Sequence, residues 1–117
     1  MRQSVLIVDD HAAFRAAAGA LLEAEGFDVV GQAADGVSAL VAIQALCPDV
    51  VLLDVQLPDL TGFEVAERLA AGETIPVVVF VSSRSASAFR RRLAANPAWR
   101  FIAKSDLSGE TLAAALA

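Results

Sequence analysis

Acidic, hydroxyl and ammonium groups follow the apolar segments of this chain, and together they could form a site for a metal ion and a phosphoryl group. Asp9 and Asp10 follow the apolar run "SVLIV", and Asp54 ends a later run, "DVVLLD". Ser82 ends the run "VVVFVS", and Lys104 follows "RFIA". Crowded carboxylates resist ionisation unless a cation neutralises them. A hard divalent ion such as Mg²⁺, which prefers oxygen ligands, fits such a set.

The hydroxyl and the ammonium suit phosphoryl oxygens, one as a hydrogen-bond donor and the other as a point charge. Lys104 is the only lysine, since the other eight basic residues are arginine, and a compact ammonium would crowd a metal site less than a guanidinium. The nucleophile offered by this group is a carboxylate, which would form an aspartyl phosphate. Taken singly, Asp10 is as typical of a helix N-cap as of a site, whereas Ser82 is more typical of a cap or turn and Lys104 of a solvated surface. Their joint placement favours a site.

Strand-like and helix-like segments alternate along the chain, and these elements must position the site. Strands are predicted at residues 4–9, 27–33, 49–54, 76–82 and 99–103. Helices are predicted at residues 12–26, 36–46, 62–72, 86–95 and 109–117. Both alternating faces of the strands carry Val, Ile and Leu, which indicates a parallel sheet buried between helices. The prediction is an α/β doubly wound sheet in three layers, with ligands at the carboxyl ends of its strands.

Composition limits the classes of protein that this chain can represent. Its 117 residues fit one domain, and 56% hydrophobic content predicts a packed core. A net charge of −5 argues against direct nucleic-acid binding, and the apolar runs are too short to span a membrane. The single cysteine, Cys47, excludes an internal disulfide and fits a reducing cytoplasm; we expect it to be a small, partly buried apolar residue. The basic cluster Arg90–Arg92 is expected on a solvated helix face.

The motifs "LIVDD", "VLLDVQLPDLTG", "VFVSS" and "FIAK" resemble, in order and spacing, the receiver domains of two-component response regulators. The segments "DDHAAFR" and "VVGQAADGVSAL" resemble more specifically the receivers of LuxR/NarL-type regulators. The resemblance covers the whole chain and implies one receiver domain at residues 1–117. It also implies a flavodoxin-like fold with five helices and strand order 2-1-3-4-5, and a signalling role that is not enzymatic.

The resemblance implies a role for each acidic residue of the site. Asp54 would accept a phosphoryl group from a histidine kinase. Asp10 and Asp54 would bind Mg²⁺ directly, together with the backbone carbonyl of Gln56, and Asp9 would act largely through water. His11, the only histidine, could be a metal ligand or a phosphohistidine, but we expect it to flank the pocket without direct chemistry.

The remaining implied residues transmit the signal. Ser82 would hydrogen-bond the phosphoryl group, Lys104 would pair with another of its oxygens, and Phe101 would be the aromatic switch. The surface formed by the fourth helix, fifth strand and fifth helix would then change. A C-terminal helix-turn-helix DNA-binding domain outside this chain, controlling transcription, and a phosphorylation-dependent homodimer are the further partners implied. The positions of Gln56 and Arg84 tune phosphoryl lifetime in the family, so that lifetime stays open.

One departure from the family pattern leaves an alternative open. The segment "AANPAWRF" replaces the usual Gly-Ala turn before the last strand, so Trp99 and Arg90–Arg92 are unusual on the output surface. A receiver-like binding module that works without phosphorylation is therefore an alternative. A phosphatase would need an acid where Gln56 stands, and a dinucleotide-binding domain would need a Gly-rich loop after the first strand.

Overall fold

The structure, a computed structural model, describes residues 2–73 and 75–117. Its centre is a parallel five-stranded sheet with strand order β2-β1-β3-β4-β5, as the resemblance implied. The strands are β1 (Ser4–Val8), β2 (Asp28–Ala33), β3 (Val50–Asp54), β4 (Val77–Ser82) and β5 (Arg100–Ala103). The α-helices are α1 (Ala12–Ala24), α2 (Gly36–Leu46), α3 (Gly62–Ala70), α4 (Arg90–Ala94) and α5 (Gly109–Leu116). The predicted α/β doubly wound fold is confirmed.

The predicted boundaries agree with the structure to within two residues, except in the segment 86–95. That segment is a 3₁₀-helix at Ala86–Phe89 followed by the short helix α4. Phe89, at the junction, has non-helical φ and ψ angles of −120° and 16°. Its ring lies 5.9 Å from the rings of Phe63 and Phe101, so we attribute the break to aromatic packing, which outweighs the helical preference of the Ala-rich stretch.

Alternate residues of the central strands enter two separate cores, one on each face of the sheet. Leu6, Leu53 and Phe80 pack on the face covered by α2 and α3, where Phe63 is one of the buried helix residues. Val5, Leu52 and Val81 pack on the other face, against α1 and α5. The central strands are therefore buried on both sides, which fixes the carboxyl ends of β1, β3 and β4 rigidly with respect to one another. None of the helices in the described part of the chain is long and apolar enough to cross a membrane.

Cys47 is exposed, so the expectation of a partly buried apolar residue is wrong. Cys47 is the C-cap of α2 and has a left-handed backbone with φ of 47°. This conformation ends the helix before Pro48 and leaves the side chain at the surface, where Sγ lies 3.6 Å from the Gln44 carbonyl.

Candidate functional site

The carboxyl ends of β1, β3, β4 and β5 bring the predicted groups to one edge of the sheet. Asp9 follows β1, Asp54 and Ser82 are the last residues of β3 and β4, and Lys104 follows β5. The Lys104 ammonium lies 2.6 Å from Oδ2 of Asp9 and 3.5 Å from Oδ2 of Asp54. One cation therefore links two carboxylates that stand on adjacent strands. All three side chains are largely buried, which strengthens their interaction compared with a surface pair.

The two buried carboxylates have opposite pKa shifts. Burial raises the pKa of Asp54 to about 6, and the neighbouring charge of Asp9 adds to this. Burial also raises the pKa of Asp9, but Lys104 and the His11 amide outweigh it, so that the pKa lies below the ordinary value of 3.8. The Lys104 ammonium is closer to Asp9 than to Asp54, which accounts for the difference. Asp54 is thus the carboxylate that gains most from a further positive charge.

The acidic pocket has the donor set that a hard divalent cation requires. One ligand atom from each of Asp9, Asp10, His11 and Asp54 lies within 4.8 Å of the others. Oδ2 of Asp9 is fully buried, and among the described residues its partner is the Lys104 ammonium, with no further hydrogen-bond donor. Asp10 is exposed and so gives the pocket an open side. Carboxylate oxygens with access to water match the ligands that Mg²⁺ prefers, so the residues fit this ion.

His11 lies closer to the acids than the flanking position expected of it. Its amide donates a hydrogen bond of 2.8 Å to Oδ1 of Asp9, and its ring Nδ1 is 3.0 Å from both this oxygen and Oδ1 of Asp10. Arg15, which the sequence did not single out, donates from Nη1 to the Asp9 carbonyl at 2.7 Å. These contacts orient the acidic pair, because they hold both the side chain and the backbone of Asp9.

Phe14 is a second residue that the sequence did not connect with the site. The Lys104 ammonium lies 4.5 Å from the centroid of its ring, within the range of a cation–π interaction. No local signal in the sequence related Phe14 to a lysine ninety residues later. The contact arises because the start of α1 and the residue after β5 lie at the same edge of the sheet.

Ser82 and Phe101 occupy different surroundings. The Ser82 hydroxyl is buried and accepts a hydrogen bond of 3.0 Å from the Arg84 amide, which fixes the start of the loop after β4. Phe101 is half-buried on β5, pairs in register with Phe80 and packs against Phe89. Phe101 therefore belongs to the core on the α2 and α3 face, and it is separate from the charged groups.

The loop between β3 and α3 contacts both the backbone and the side chain of Asp54. The Gly62 amide donates a hydrogen bond of 2.7 Å to the Val55 carbonyl, and a Cβ atom on Gly62 would collide with the Asp54 carbonyl. The Gln56 amide donates to Oδ1 of Asp54 at 3.2 Å, and residues 56 and 61 form an isolated β-bridge. This tight loop brings the backbone of Gln56 directly beside the Asp54 carboxylate.

An aromatic cluster fills the space between α3, β4 and the segment before β5. The Trp99 ring lies 5.6 Å from the ring of Phe63 and 5.2 Å from that of Phe80. The Arg92 guanidinium lies 4.6 Å from the Phe63 centroid and 2.8 Å from a carboxylate oxygen of Glu67. Arg90–Arg92 is exposed as expected, but Arg92 also packs on the aromatic cluster and so ties α4 to α3.

Comparison with known proteins gives a consistent family. The sequence profile of the response regulator receiver domain matches residues 5–117. The virulence transcription regulator BvgA from Bordetella pertussis is 35% identical over 117 residues, which cover 100% of this chain and 56% of BvgA. The DNA-binding response regulator MtrA from Mycobacterium tuberculosis is 42% identical over 84 residues, which cover 70% of this chain and 36% of MtrA. The chain spans about half the length of the curated relatives it matches.

Solved structures give the same result for the fold. The signal receiver domain of the response regulator NarL from Mycobacterium tuberculosis is similar to this chain with a TM-score of 0.83 and 29% sequence identity. The match covers 98% of this chain and 97% of the NarL domain. The similarity therefore extends over the whole sheet and all its helices, including the strand ends that carry the charged groups.

Proposed function

Since this chain belongs to the response regulator receiver domain family, which acts in two-component signalling, we propose that it is a phosphorylation switch with Asp54 as the phosphoacceptor. The observation that carries the proposal is the position of the buried Asp54 carboxylate. Its Oδ2 lies 3.5 Å from the Lys104 ammonium, and the acidic pair and His11 complete the pocket. The proposed donor is the phosphohistidine of a histidine kinase.

Asp10, Asp54 and the backbone carbonyl of Gln56 would hold Mg²⁺ directly, and Asp9 would hold it through water. The bound ion would neutralise the carboxylates and polarise the phosphoryl oxygens. Asp9 already carries the Lys104 ion pair, which supports an indirect role for it. The open side at Asp10 supports the exchange of water and entry of the donor.

In the transfer, an oxygen of Asp54 attacks the phosphorus of the donor. A P–O bond forms while the P–N bond breaks, and the imidazole nitrogen keeps the electron pair. Lys104 pairs with one oxygen of the new phosphoryl group. The Ser82 hydroxyl accepts from the Arg84 amide and keeps its own proton, so it is free to donate to a second oxygen.

Movement of Ser82 toward the phosphoryl group transmits the signal. The Arg84 amide follows Ser82, the loop after β4 shifts, and Phe101 turns inward, which changes the surface of α4, β5 and α5. This surface controls an output domain, proposed to be a helix-turn-helix DNA-binding domain that regulates transcription. Its support is that BvgA is a transcription regulator and MtrA a DNA-binding response regulator. We also propose that the protein forms a phosphorylation-dependent homodimer and is located in the cytoplasm.

The test is incubation with a small phosphodonor, such as acetyl phosphate, and Mg²⁺, followed by intact mass and peptide mapping. We expect one phosphate on wild-type protein, on Asp54, and none on Asp54→Asn or in the presence of a chelator. Absence of phosphate on wild type, or equal labelling of the variant, would refute the proposal.

A second candidate is a binding module that needs no phosphorylation. The observation in its favour is the packing at this surface, since the rings of Phe89 and Phe101 are already in contact and Arg92 ties α4 to α3. This alternative predicts the same hydrogen exchange in residues 84–103 with and without phosphodonor. The switch predicts a change in the same segment.

A further inference from the structure

Asp59, in the loop between β3 and α3, makes hydrogen bonds that join this loop to the start of α2. Its Oδ1 accepts from the amides of Gly36 at 2.7 Å and Leu60 at 2.8 Å. Its Oδ2 accepts from the amide of Val37 at 3.0 Å. Gly36 and Val37 are the first residues of α2, and the early amides of a helix have no partner within the helix. The Asp59 carboxylate therefore accepts hydrogen bonds from the first amides of a helix that begins more than twenty residues earlier in the chain.

The charge of Asp59 suits this position. A carboxylate is favoured at the positive end of a helix dipole. The hydrogen bonds from Gly36, Val37 and Leu60 hold the pKa of Asp59 below its ordinary value, so the charged form makes the contact. Leu60 adds a packing contact at the same point, since a Cβ atom on Gly36 would lie 2.9 Å from the side chain of Leu60.

The segment held in this way is the one that carries Gln56. It begins after Asp54, the last residue of β3, and ends at Gly62, the first residue of α3, whose amide donates to the Val55 carbonyl. The bridge between residues 56 and 61 closes the loop. The bridge and Gly62 set the width of the loop. Asp59, at its tip, is the side chain that joins it to α2 by hydrogen bonds, beside the packing contact of Leu60.

We propose that Asp59 is a positioning residue that ties the metal-binding loop to α2 and so fixes the Gln56 carbonyl relative to the Asp54 carboxylate. The inference rests on the proposed function for its consequence, which is a higher affinity for Mg²⁺. Asp59 itself touches neither the metal nor the phosphoryl group. The position of α2 is thereby coupled to the geometry of the pocket.

The chain offers a matched control for this role. Asp35 is the N-cap of the same helix and accepts from the Ser38 amide at 2.7 Å, and among the described residues it makes no hydrogen bond to the loop. Asp59→Ala and Asp35→Ala both weaken the start of α2. Only Asp59→Ala releases the loop. Asp59→Asn, which keeps one acceptor oxygen, should have an intermediate effect.

The first measurement is the dissociation constant for Mg²⁺ by isothermal titration calorimetry. We expect Asp59→Ala to raise it about 10-fold, in the range found for residues that orient metal ligands, and Asp35→Ala to leave it unchanged. Both variants should lower the melting temperature. A purely helix-capping role for Asp59 would lower stability in the same way with unchanged Mg²⁺ affinity, and this result would overturn the proposal.

The second measurement is hydrogen exchange without metal, which does not depend on the proposed function. We expect faster exchange at residues 55–61 in Asp59→Ala than in Asp35→Ala. Equal exchange in the two variants would refute the positioning role. Faster exchange in Asp59→Ala together with a wild type that binds no Mg²⁺ would retain the tie to α2 and refute the proposed metal function.

Discussion

At the scale of single residues, the site depends on how one ammonium is shared between two carboxylates. Lys104 is 2.6 Å from Asp9 and 3.5 Å from Asp54, so Asp9 is neutralised more completely. Asp54 stays buried beside a negative charge, and its pKa rises to about 6. The proposed phosphoryl group on Asp54 would have its oxygens near the Lys104 ammonium, which lies 3.5 Å from Oδ2 of this residue.

We predict that Asp54→Asn stabilises the metal-free protein near neutral pH. The folded-state pKa of Asp54 lies above the unfolded value of 3.8, so ionisation costs stability as the pH rises through about 6. The variant should be more stable by about 1–3 kcal/mol at about pH 7.5, and the difference should shrink toward about pH 4. Urea unfolding in the presence of a chelator measures the free energy of unfolding of both proteins. Adding Mg²⁺ should reduce the difference between the two free energies. Equal stabilities at neutral pH would contradict the electrostatic account.

We predict that Lys104→Arg accepts phosphate on Asp54 but switches poorly. The guanidinium is planar and bulkier than the ammonium, and the Lys104 side chain is only 17% exposed, packed over the Phe14 ring. Mass spectrometry measures the phosphate, and hydrogen exchange in residues 84–103 measures the switch. A variant that shows both the phosphate and the full wild-type exchange change would disprove the requirement for lysine.

At the scale of elements, the site is a set of strand ends held by the loops that follow them. The β3–α3 loop is closed by Gly62 and by the capping box of α3, in which Thr61 and Glu64 exchange side-chain and backbone hydrogen bonds. Asp59 anchors the tip of the same loop to α2. Each connection is local and satisfies polar backbone groups, so the position of Asp54 is fixed without a bound ligand.

We predict that Gly62→Ala destabilises the protein and weakens Mg²⁺ binding. A Cβ atom at this position would collide with the Asp54 carbonyl, and a shift of the strand end costs about 1–3 kcal/mol, as for other overpacked sites. Gly19→Ala is the control, because a Cβ atom there has its nearest neighbour at an ordinary distance of 3.6 Å. Chemical unfolding and Mg²⁺ titration test both variants. A Gly62→Ala protein as stable as Gly19→Ala would show that the loop adapts.

At the scale of the whole molecule, the aromatic cluster connects the site with the surface proposed for output. Phe80 lies two residues before Ser82 on β4, and its ring is 5.2 Å from that of Trp99. Phe101 lies three residues before Lys104 and packs against Phe89. Ring contacts thus run from β4 to the segment before β5 and from β5 to the residue before α4, and we expect a displacement of the β4 end to follow them.

We predict that phosphorylation changes the emission of Trp99, the only tryptophan. The ring packs on Phe63 and Phe80, so a shift of the loop after β4 alters its surroundings. Fluorescence with acetyl phosphate and Mg²⁺ measures the change, and Asp54→Asn under the same conditions is the control. An emission change of the same size in this variant would show that the fluorescence does not report phosphorylation and would contradict the prediction.

Sequence patterns predicted the alternation of strands and helices because each apolar run is long enough to identify its own element. The break at Phe89 was missed, since the fourth helix is interrupted by ring packing with residues that are distant in sequence. Cys47 was misplaced because the left-handed cap of α2 turned its side chain outward. The roles of Phe14, Arg15 and Asp59 had no local signal, as their partners lie on other elements.

The sequence by itself determined the fold and the set of charged groups at the strand ends, since apolar periodicity and residue type are properties of each segment alone. Only the tertiary structure decided how those groups share charge. The distances from Lys104 to Asp9 and Asp54 depend on how β5 and β4 stack beside β3 and β1. The same packing buries Asp54 beside Asp9 and raises its pKa, because burial and proximity exist only once the strands have assembled.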